Sequence, residues 1–182
     1  MIFKPLPLEG AHLIQLKKFS DERGFFARSF CKDEFEQAGL ESDWVQVNNS
    51  LSRKKGTLRG LHFQRPPQSE VKMVRCIKGA IWDVIVDIRK GSKTYGEWVG
   101  AELNEENRDM MYVPKGFAHG FISLTEDSEI LYMVSARYNP DLEGTLRWND
   151  PFHGIEWPMA PQILSEKDQN ATDWNESKSI SL

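Results

Sequence analysis

Apolar residues recur in short runs along the first three-quarters of the chain, and turn-forming residues bound each run. The pattern predicts strands over His12–Phe19, Phe25–Phe30, Thr57–Phe63, Val71–Ile77, Ala80–Ile88, Glu97–Leu103, Met110–Val113, Gly120–Leu124 and Glu129–Val134. Between them lie Asp21–Gly24, Lys78-Gly79, Lys90–Ser92, Pro114–Gly116 and Thr125–Ser128. Closely spaced strands separated by such turns specify an all-β sandwich or barrel. One helix is expected over Lys32–Ala38, stopping at Gly39. After Trp157 the chain turns polar, and Met159–Leu182 reads as a short helix or extended tail packed on the barrel. No internal repeat and no low-complexity segment interrupts this order.

One strand carries more information than the rest. Ala80, Trp82, Val84 and Val86 occupy one face of the run Ala80–Asp87, and Ile81, Asp83, Ile85 and Asp87 the other. Both faces are largely apolar, so both need cover, from a second sheet or from a subunit interface. Asp83 then sits between Ile81 and Ile85 on the inner face, where a carboxylate requires a partner.

Composition narrows the class. A chain of 182 residues with 40% hydrophobic content suits one domain, residues 1–182, with a sizeable core. A net charge of −4 argues against a dedicated nucleic-acid binder, which carries a basic excess. No run approaches a membrane span and no signal-peptide pattern opens the chain. The cytoplasm is the simplest compartment, with Cys31 and Cys76 reduced and packed as small residues. Two cysteines alone cannot build a structural zinc site.

Several residues carry potential chemistry. Gly56-Thr-Leu-Arg-Gly-Leu-His62 sets Arg59 and His62 around Gly60. Strict alternation sends positions 59 and 62 to opposite faces, whereas a bulge at Gly60 brings both toward one cavity. A histidine there can serve as a base near neutral pH. Tyr132 lies in line with Ile130 and Val134 on one strand face. Ser165-Glu-Lys-Asp168 reads as a helix start. Arg23, Arg59 and Lys72 lie in or beside strands where a phosphate could meet them. Taken singly, each has an ordinary structural role as its commoner explanation.

Pro114-Lys-Gly-Phe-Ala-His119 resembles the second half of the cupin signature. The first half, His-x-His, is missing, since Phe63 and Gln64 follow His62. A site of His62, His119 and Asp83 remains the one arithmetical route to a mononuclear metal centre.

The whole chain resembles the dTDP-4-dehydrorhamnose 3,5-epimerase family of cupin-type sugar-nucleotide epimerases. The landmarks are Asp21-Glu-Arg-Gly-Phe-Phe, Gln46-Val-Asn48, Leu58-Arg-Gly-Leu-His-Phe-Gln, Lys72-Met-Val-Arg, Asp83-Val-Ile-Val-Asp-Ile-Arg, Pro114-Lys-Gly-Phe-Ala-His-Gly-Phe, Tyr132, Tyr138-Asn-Pro, Arg147-Trp-Asn-Asp-Pro, Gly154-Ile-Glu-Trp-Pro and Leu164-Ser-Glu-Lys-Asp. Each is weak alone, but the ordered set is specific. The resemblance implies a double-stranded β-helix, or jelly-roll barrel, with a few short helices. It implies a homodimer whose nucleotide site draws on two subunits.

The implied chemistry is proton abstraction next to a 4-keto group, through an enolate, on a nucleoside-diphospho-4-keto-6-deoxyhexose. His62 is the implied base, Asp168 its orienting partner, Tyr132 the acid on the opposite ring face and Lys72 the stabiliser of the enolate oxygen. Arg23 and Arg59 would hold the diphosphate, His119 with Asp83 would serve the substrate, and Tyr138 would stack on the base. Gln46, Asn48, Glu143 and Lys167 match further nucleotide contacts. No metal and no organic cofactor is implied.

The chain departs from the family pattern in three places. Arg28 stands where a glutamate commonly holds the nucleotide, Glu70 stands where a neutral residue is usual, and the loop Asn49–Gly56 is one residue longer. The nucleotide is therefore dTDP or another, such as CDP. Three rivals stand beside the 3,5-epimerase: an enzyme inverting only C3 or only C5, a non-catalytic sugar-nucleotide-binding cupin and a metal-dependent cupin enzyme.

Overall fold

The computed structural model describes residues 1–182. Thirteen strands run β1 (Ile2–Pro5), β2 (His12–Gln15), β3 (Lys18–Asp21), β4 (Gly24–Ala27), β5 (Gln46–Ser52), β6 (Leu58–Gln64), β7 (Lys72–Lys78), β8 (Ala80–Asp87), β9 (Trp98–Asn104), β10 (Met110–Val113), β11 (Phe117–Ser123), β12 (Ser128–Val134) and β13 (Glu143–Thr145). Two short α-helices, α1 (Lys32–Gln37) and α2 (Glu166–Gln169), and two single turns, Pro140–Leu142 and Glu176–Lys178, complete the chain. No helix is long and apolar enough to cross a membrane.

A six-stranded sheet in the order β1-β2-β10-β7-β12-β5 faces a five-stranded sheet in the order β13-β6-β11-β8-β9. All strand pairs are antiparallel. The protein is all-β, of the cupin type. Ile81, Ile85, Leu103, Met111, Val113, Phe117, Phe121 and Ile130 pack between the sheets in the main apolar cluster. That cluster leaves the space between β5, β6, β7 and β12 for the site.

The pattern on β8 has a cover other than a partner subunit. The outer face of β8, Val84 and Val86, lies under residues of the same chain: Leu146, Trp148, Ile155, Trp157, Trp174 and Ile180. Neither a second sheet nor a subunit interface, the two covers expected for it, closes that face; irregular segments of the same chain do. Trp174 and Ile180 come from the polar tail, and the other four from the segment just before it.

Three strands escaped the apolar pattern, and β5 is the instructive one. Its inward residues Gln46, Asn48, Ser50 and Ser52 are polar and its outward residues Val47 and Leu51 are apolar. The usual polarity is inverted because the inner face borders a ligand-sized cavity. The long run His12–Phe19 is broken into β2 and β3, and β3 pairs with β4 as a separate hairpin. That hairpin is exposed on both faces, with Phe19 61% and Phe26 71% accessible. Helix α1 buries Phe35 against Ile14, Met73, Met110 and Tyr112 and so covers one part of the outer face of the six-stranded sheet. Gly39 ends it at φ +71°, a conformation that favours glycine.

Candidate active site

Strand β6 positions two of the expected residues through an irregularity. Opposite β11, His62 pairs with His119 and Arg59 with Phe121, so three steps on β6 span two on β11. The extra residue brings Arg59 and His62 to the same side of the sheet. Gly60 makes this possible at φ +122°. A Cβ there would stand 2.5 Å from the Cα of Gly120 and 2.9 Å from the carbonyl oxygen of His119.

Asp168 arrives from α2, where the hydroxyl of Ser165 caps the helix by accepting from the Asp168 amide at 3.1 Å. Its Oδ1 accepts from His62 Nε2 at 2.7 Å, and its Oδ2 accepts from the Gly60 amide at 3.4 Å. One buried carboxylate thus braces both the imidazole and the bulge that aims it. A carboxylate only accepts, so Nε2 carries the hydrogen and Nδ1 is left as the basic atom. Burial pushes the Asp168 carboxyl up, but hydrogen bonding and charge attraction from His62 outweigh it and hold the group below the usual range.

The opposite wall belongs to the other sheet. Lys72 on β7 and Tyr132 on β12 point into the same space, with Val134 opposite Lys72 and Asn48 opposite Tyr132 in register. The Lys72 ammonium lies 3.2 Å from Glu70 Oε1, and both side chains are only 11% exposed. Burial raises the Tyr132 hydroxyl above its ordinary pKa; the Glu70 charge adds to this and Arg59 opposes it. Tyr132 is therefore a protonated group at neutral pH.

These residues share a two-lobed cleft. One lobe, about 450 Å³, is lined among others by Ser50, Arg59, His119, Phe121, Ile163 and Asp168. The other, about 270 Å³, is lined by Gln46, Asn48, Gln64, Glu70, Tyr138 and Glu143. His62, Lys72 and Tyr132 line both, so they stand at the junction. Arg59 thus lies in a different lobe from Gln46, Asn48, Tyr138 and Glu143, although all were expected around one nucleotide.

Other expected residues stand elsewhere. Asp83 is fully buried behind the cleft, its Oδ1 accepting from His119 Nε2 at 2.8 Å, so it reaches the cavity only through that histidine. Arg23 pairs with Asp21 at 2.5 Å on the hairpin turn with its side chain 85% exposed, outside both lobes. Arg28 is likewise outside, its guanidinium donating to Glu34 at 2.9 Å. Lys167 pairs with Glu143 at 2.6 Å, and Glu143 also accepts from the Tyr138 hydroxyl at 3.1 Å. His62 and His119 use Nε2 on separate carboxylates, and no group of three or more His, Cys, Asp or Glu converges to hold a metal. Cys31 and Cys76 are unpaired, and burial pushes the Cys76 thiol up to about 11.

Sequence reasoning missed Ser50, Phe121, Ile130, Ile163 and Leu164 as wall residues and passed over the contact of Glu70 with Lys72. For Ser50 a signal existed: the inverted alternation of Gln46–Ser52. For the tail residues none did, because their approach is a tertiary event.

The family model for dTDP-4-dehydrorhamnose 3,5-epimerase matches residues 5–176. A dTDP-4-dehydrorhamnose 3,5-epimerase of Sinorhizobium fredii is 47% identical over 171 residues, covering 93% of this chain and 88% of that protein. The crystal structure of the enzyme of that name from Elizabethkingia anophelis superposes with a TM-score of 0.93 at 41% identity, covering 99% of each chain. A 3'-monoepimerase from Streptomyces bikiniensis, solved with dTDP-quinovose, superposes with a TM-score of 0.86 at 36% identity, covering 93% of this chain and 86% of that one.

Proposed function

This chain belongs to the dTDP-4-dehydrorhamnose 3,5-epimerase family, and on that footing we propose that it inverts C3 and C5 of dTDP-4-dehydro-6-deoxy-D-glucose. The observation that carries the reading is the placement of His62 and Tyr132 on opposite walls of one cleft, with Lys72 beside Tyr132. An epimerase needs a base on one face of the ring and a proton donor on the other.

The 4-keto group acidifies the C–H bonds at C3 and C5. His62 Nδ1 takes a proton from one of them, and the electron pair moves onto the keto oxygen as an enolate. The resulting imidazolium is held by the Asp168 carboxylate. The Lys72 ammonium stabilises the enolate oxygen in a site of low solvent access, where a fixed charge acts strongly. Tyr132 then donates its proton to the carbon from the opposite face. Solvent returns a proton to the phenolate and removes one from the imidazolium. Arg59 supplies a cation for the diphosphate, and His119 a donor or acceptor for the sugar. Arg28 lies outside the cleft and pairs with Glu34, and we take dTDP as the nucleotide because the family and its relatives act on dTDP-linked sugars.

A homodimer belongs to the same reading. Val47, Leu51, Ile77 and Leu131 form an apolar face on β5, β12 and β7 that α1 does not cover. The β3–β4 hairpin exposes Phe19, Phe25 and Phe26 and keeps Arg23 outside both lobes of its own protomer, which suits a contact with a second copy. A cytoplasmic location is part of the proposal too, and the two unpaired thiols fit a reducing compartment.

The test is solvent-deuterium incorporation into dTDP- and CDP-linked 4-keto-6-deoxyglucose, read by NMR. Deuterium at both C3 and C5 of the dTDP-linked sugar is expected. Incorporation at one carbon alone would make the chain a mono-epimerase, the second reading, which the likeness to the Streptomyces bikiniensis enzyme keeps in view. Binding without exchange would make it a non-catalytic sugar-nucleotide-binding protein.

A further inference from the structure

Glu70 is a buried acid in a wall that must receive an anionic sugar nucleotide. It precedes β7 by two residues, and its side chain is as shielded as that of its partner Lys72. Oε1 meets the Lys72 ammonium at 3.2 Å, and Oε2 accepts from Gln64 Nε2 at 3.3 Å. Gln64 is itself fixed. Its Nε2 also donates to the carbonyl of Gln68 at 3.1 Å, and its Oε1 accepts from the Asn139 amide at 2.7 Å. The Gln64 amide shares its two hydrogens among Glu70 Oε2, the Gln68 carbonyl and the Arg137 carbonyl at 3.3 Å, so Lys72 is the principal partner of the carboxylate. Lys72 has no other anionic partner within reach, so Glu70 alone decides where its ammonium rests. Glu70, Lys72 and Tyr132 line the same lobe.

We propose that Glu70 is a positioning residue for the epimerisation: it anchors the Lys72 ammonium at the junction of the two lobes and sets the charge that the Tyr132 hydroxyl faces. This rests on the roles given above to Lys72 and Tyr132. Without Glu70, Arg59, which already opposes it at the phenol, and the Lys72 ammonium on the same strand face act on Tyr132 with no acid paired to Lys72. A cation stabilises phenolate, and phenolate cannot donate a proton. With Glu70, the pair is neutral as a unit, so Tyr132 keeps its proton while Lys72 keeps its donors for the enolate oxygen.

Other charges act on Tyr132 from every side of the cleft. Arg59 and His62 face it from β6 and His119 from β11, and these favour the phenolate when charged. Asp168 from α2 and Glu143 from β13 oppose that. Asp168 and Glu143 are already engaged, with His62 and Lys167 respectively. Glu70 is therefore the acid whose removal leaves Lys72 with no acid paired to it.

The experiment uses the full chain with ¹³C-labelled tyrosine. There are four tyrosines, and the Tyr132 signal is identified as the one absent from Tyr132→Phe. Its titration is followed in wild type, Glu70→Gln and Glu70→Asp, alongside the pH profile of kcat. Glutamine preserves the shape and can still accept from Gln64 or Lys72, so the fold is retained; circular dichroism checks this. In Glu70→Gln the Tyr132 titration is expected to move down by about half a unit to one unit. The alkaline limb of kcat should follow it, a loss of roughly 3- to 10-fold at a pH above the limb. Glu70→Asp, which keeps the charge, should restore both toward wild type. A Tyr132 titration unchanged in folded Glu70→Gln overturns the inference, as does a shifted titration with an unshifted limb. A shifted titration in a protein that exchanges no deuterium into either sugar leaves the electrostatic role standing and overturns the proposed activity instead.

Discussion

Asp168 does two jobs with two oxygens: one orients the His62 ring and the other braces the Gly60 amide. Replacing it with asparagine keeps the volume but offers the ring a donor as well as an acceptor, which removes the preference for the tautomer with a basic Nδ1. We expect Asp168→Asn to lower kcat by about 10²- to 10⁴-fold, with exchange at C3 and C5 falling together because one base serves both. Unequal loss at the two carbons in steady-state NMR would argue for a second base. Tyr132→Phe should behave differently. It keeps the ring and its packing but removes the donor, so wash-out of deuterium from labelled substrate should persist while net inversion falls. Full product formation by this variant would remove Tyr132 from the mechanism.

The element that carries most of the geometry is the bulged strand β6. Two glycines face each other there: a Cβ on Gly120 would meet the carbonyl oxygen of Arg59 at 2.8 Å, and one on Gly60 would meet Gly120 at 2.5 Å. Both contacts are with backbone, which cannot swing aside. Gly60 also lies in a φ region that L residues avoid. Gly60→Ala should therefore lower thermal stability by about 1–3 kcal/mol and kcat with it, since the displaced strand end carries His62 away from Asp168. Calorimetry and initial rates on one preparation check the coupling; a less stable variant with unchanged kcat would show that the bulge does not position the base.

At the scale of the whole molecule, two outer sheet faces meet different fates. The face of the five-stranded sheet is closed by the tail, where Trp174 donates its amide to Asp150 at 2.5 Å and its indole N–H to the Tyr95 hydroxyl at 3.0 Å. The face of the six-stranded sheet keeps Val47 at 59% and Leu131 at 37% exposed. An aspartate at position 131 would be buried against the second copy in the proposed dimer, so Leu131→Asp should yield monomer in ultracentrifugation while wild type sediments as a dimer. A monomeric, fully active wild type would end that proposal. Acid should unlock the molecule as a whole. Asp87, Asp150 and Asp168 are pushed up by burial yet held below the usual carboxylate range by their hydrogen bonds. Each therefore adds stability that is complete above the unfolded carboxyl pKa, about 3.9, and is lost as pH falls through the lower folded value. Urea midpoints should fall gently below about 6.5, where burial keeps His153 neutral in the folded chain while the unfolded chain protonates it, and drop steeply below about 4; a flat midpoint down to pH 2 would contradict this.

The sequence by itself determined the all-β class, the helix at Lys32, the strands whose inner faces are apolar, and, through its ordered landmarks, the set of residues with chemistry. These follow from local physics: period-two alternation, turn residues, and a bulge glycine between Arg59 and His62. It did not show β5 as a strand, because apolar alternation marks only faces that contact a dry core, and this strand's inner face borders the cleft. Nor did it show what covers Val84 and Val86. Tryptophans at positions 148, 157 and 174 carry no signal of the strand they will meet. The family resemblance implied that Asp168 partners His62, more than a hundred residues away, and the structure supplied the 2.7 Å contact; only the structure decided that Arg28 pairs with Glu34 and that Glu70 pairs with Lys72. The first partner is brought in when the C-terminal segment docks on β6, the other two are chain neighbours whose rotamers the surroundings select, and the energy of a charge depends on which neighbours it is given.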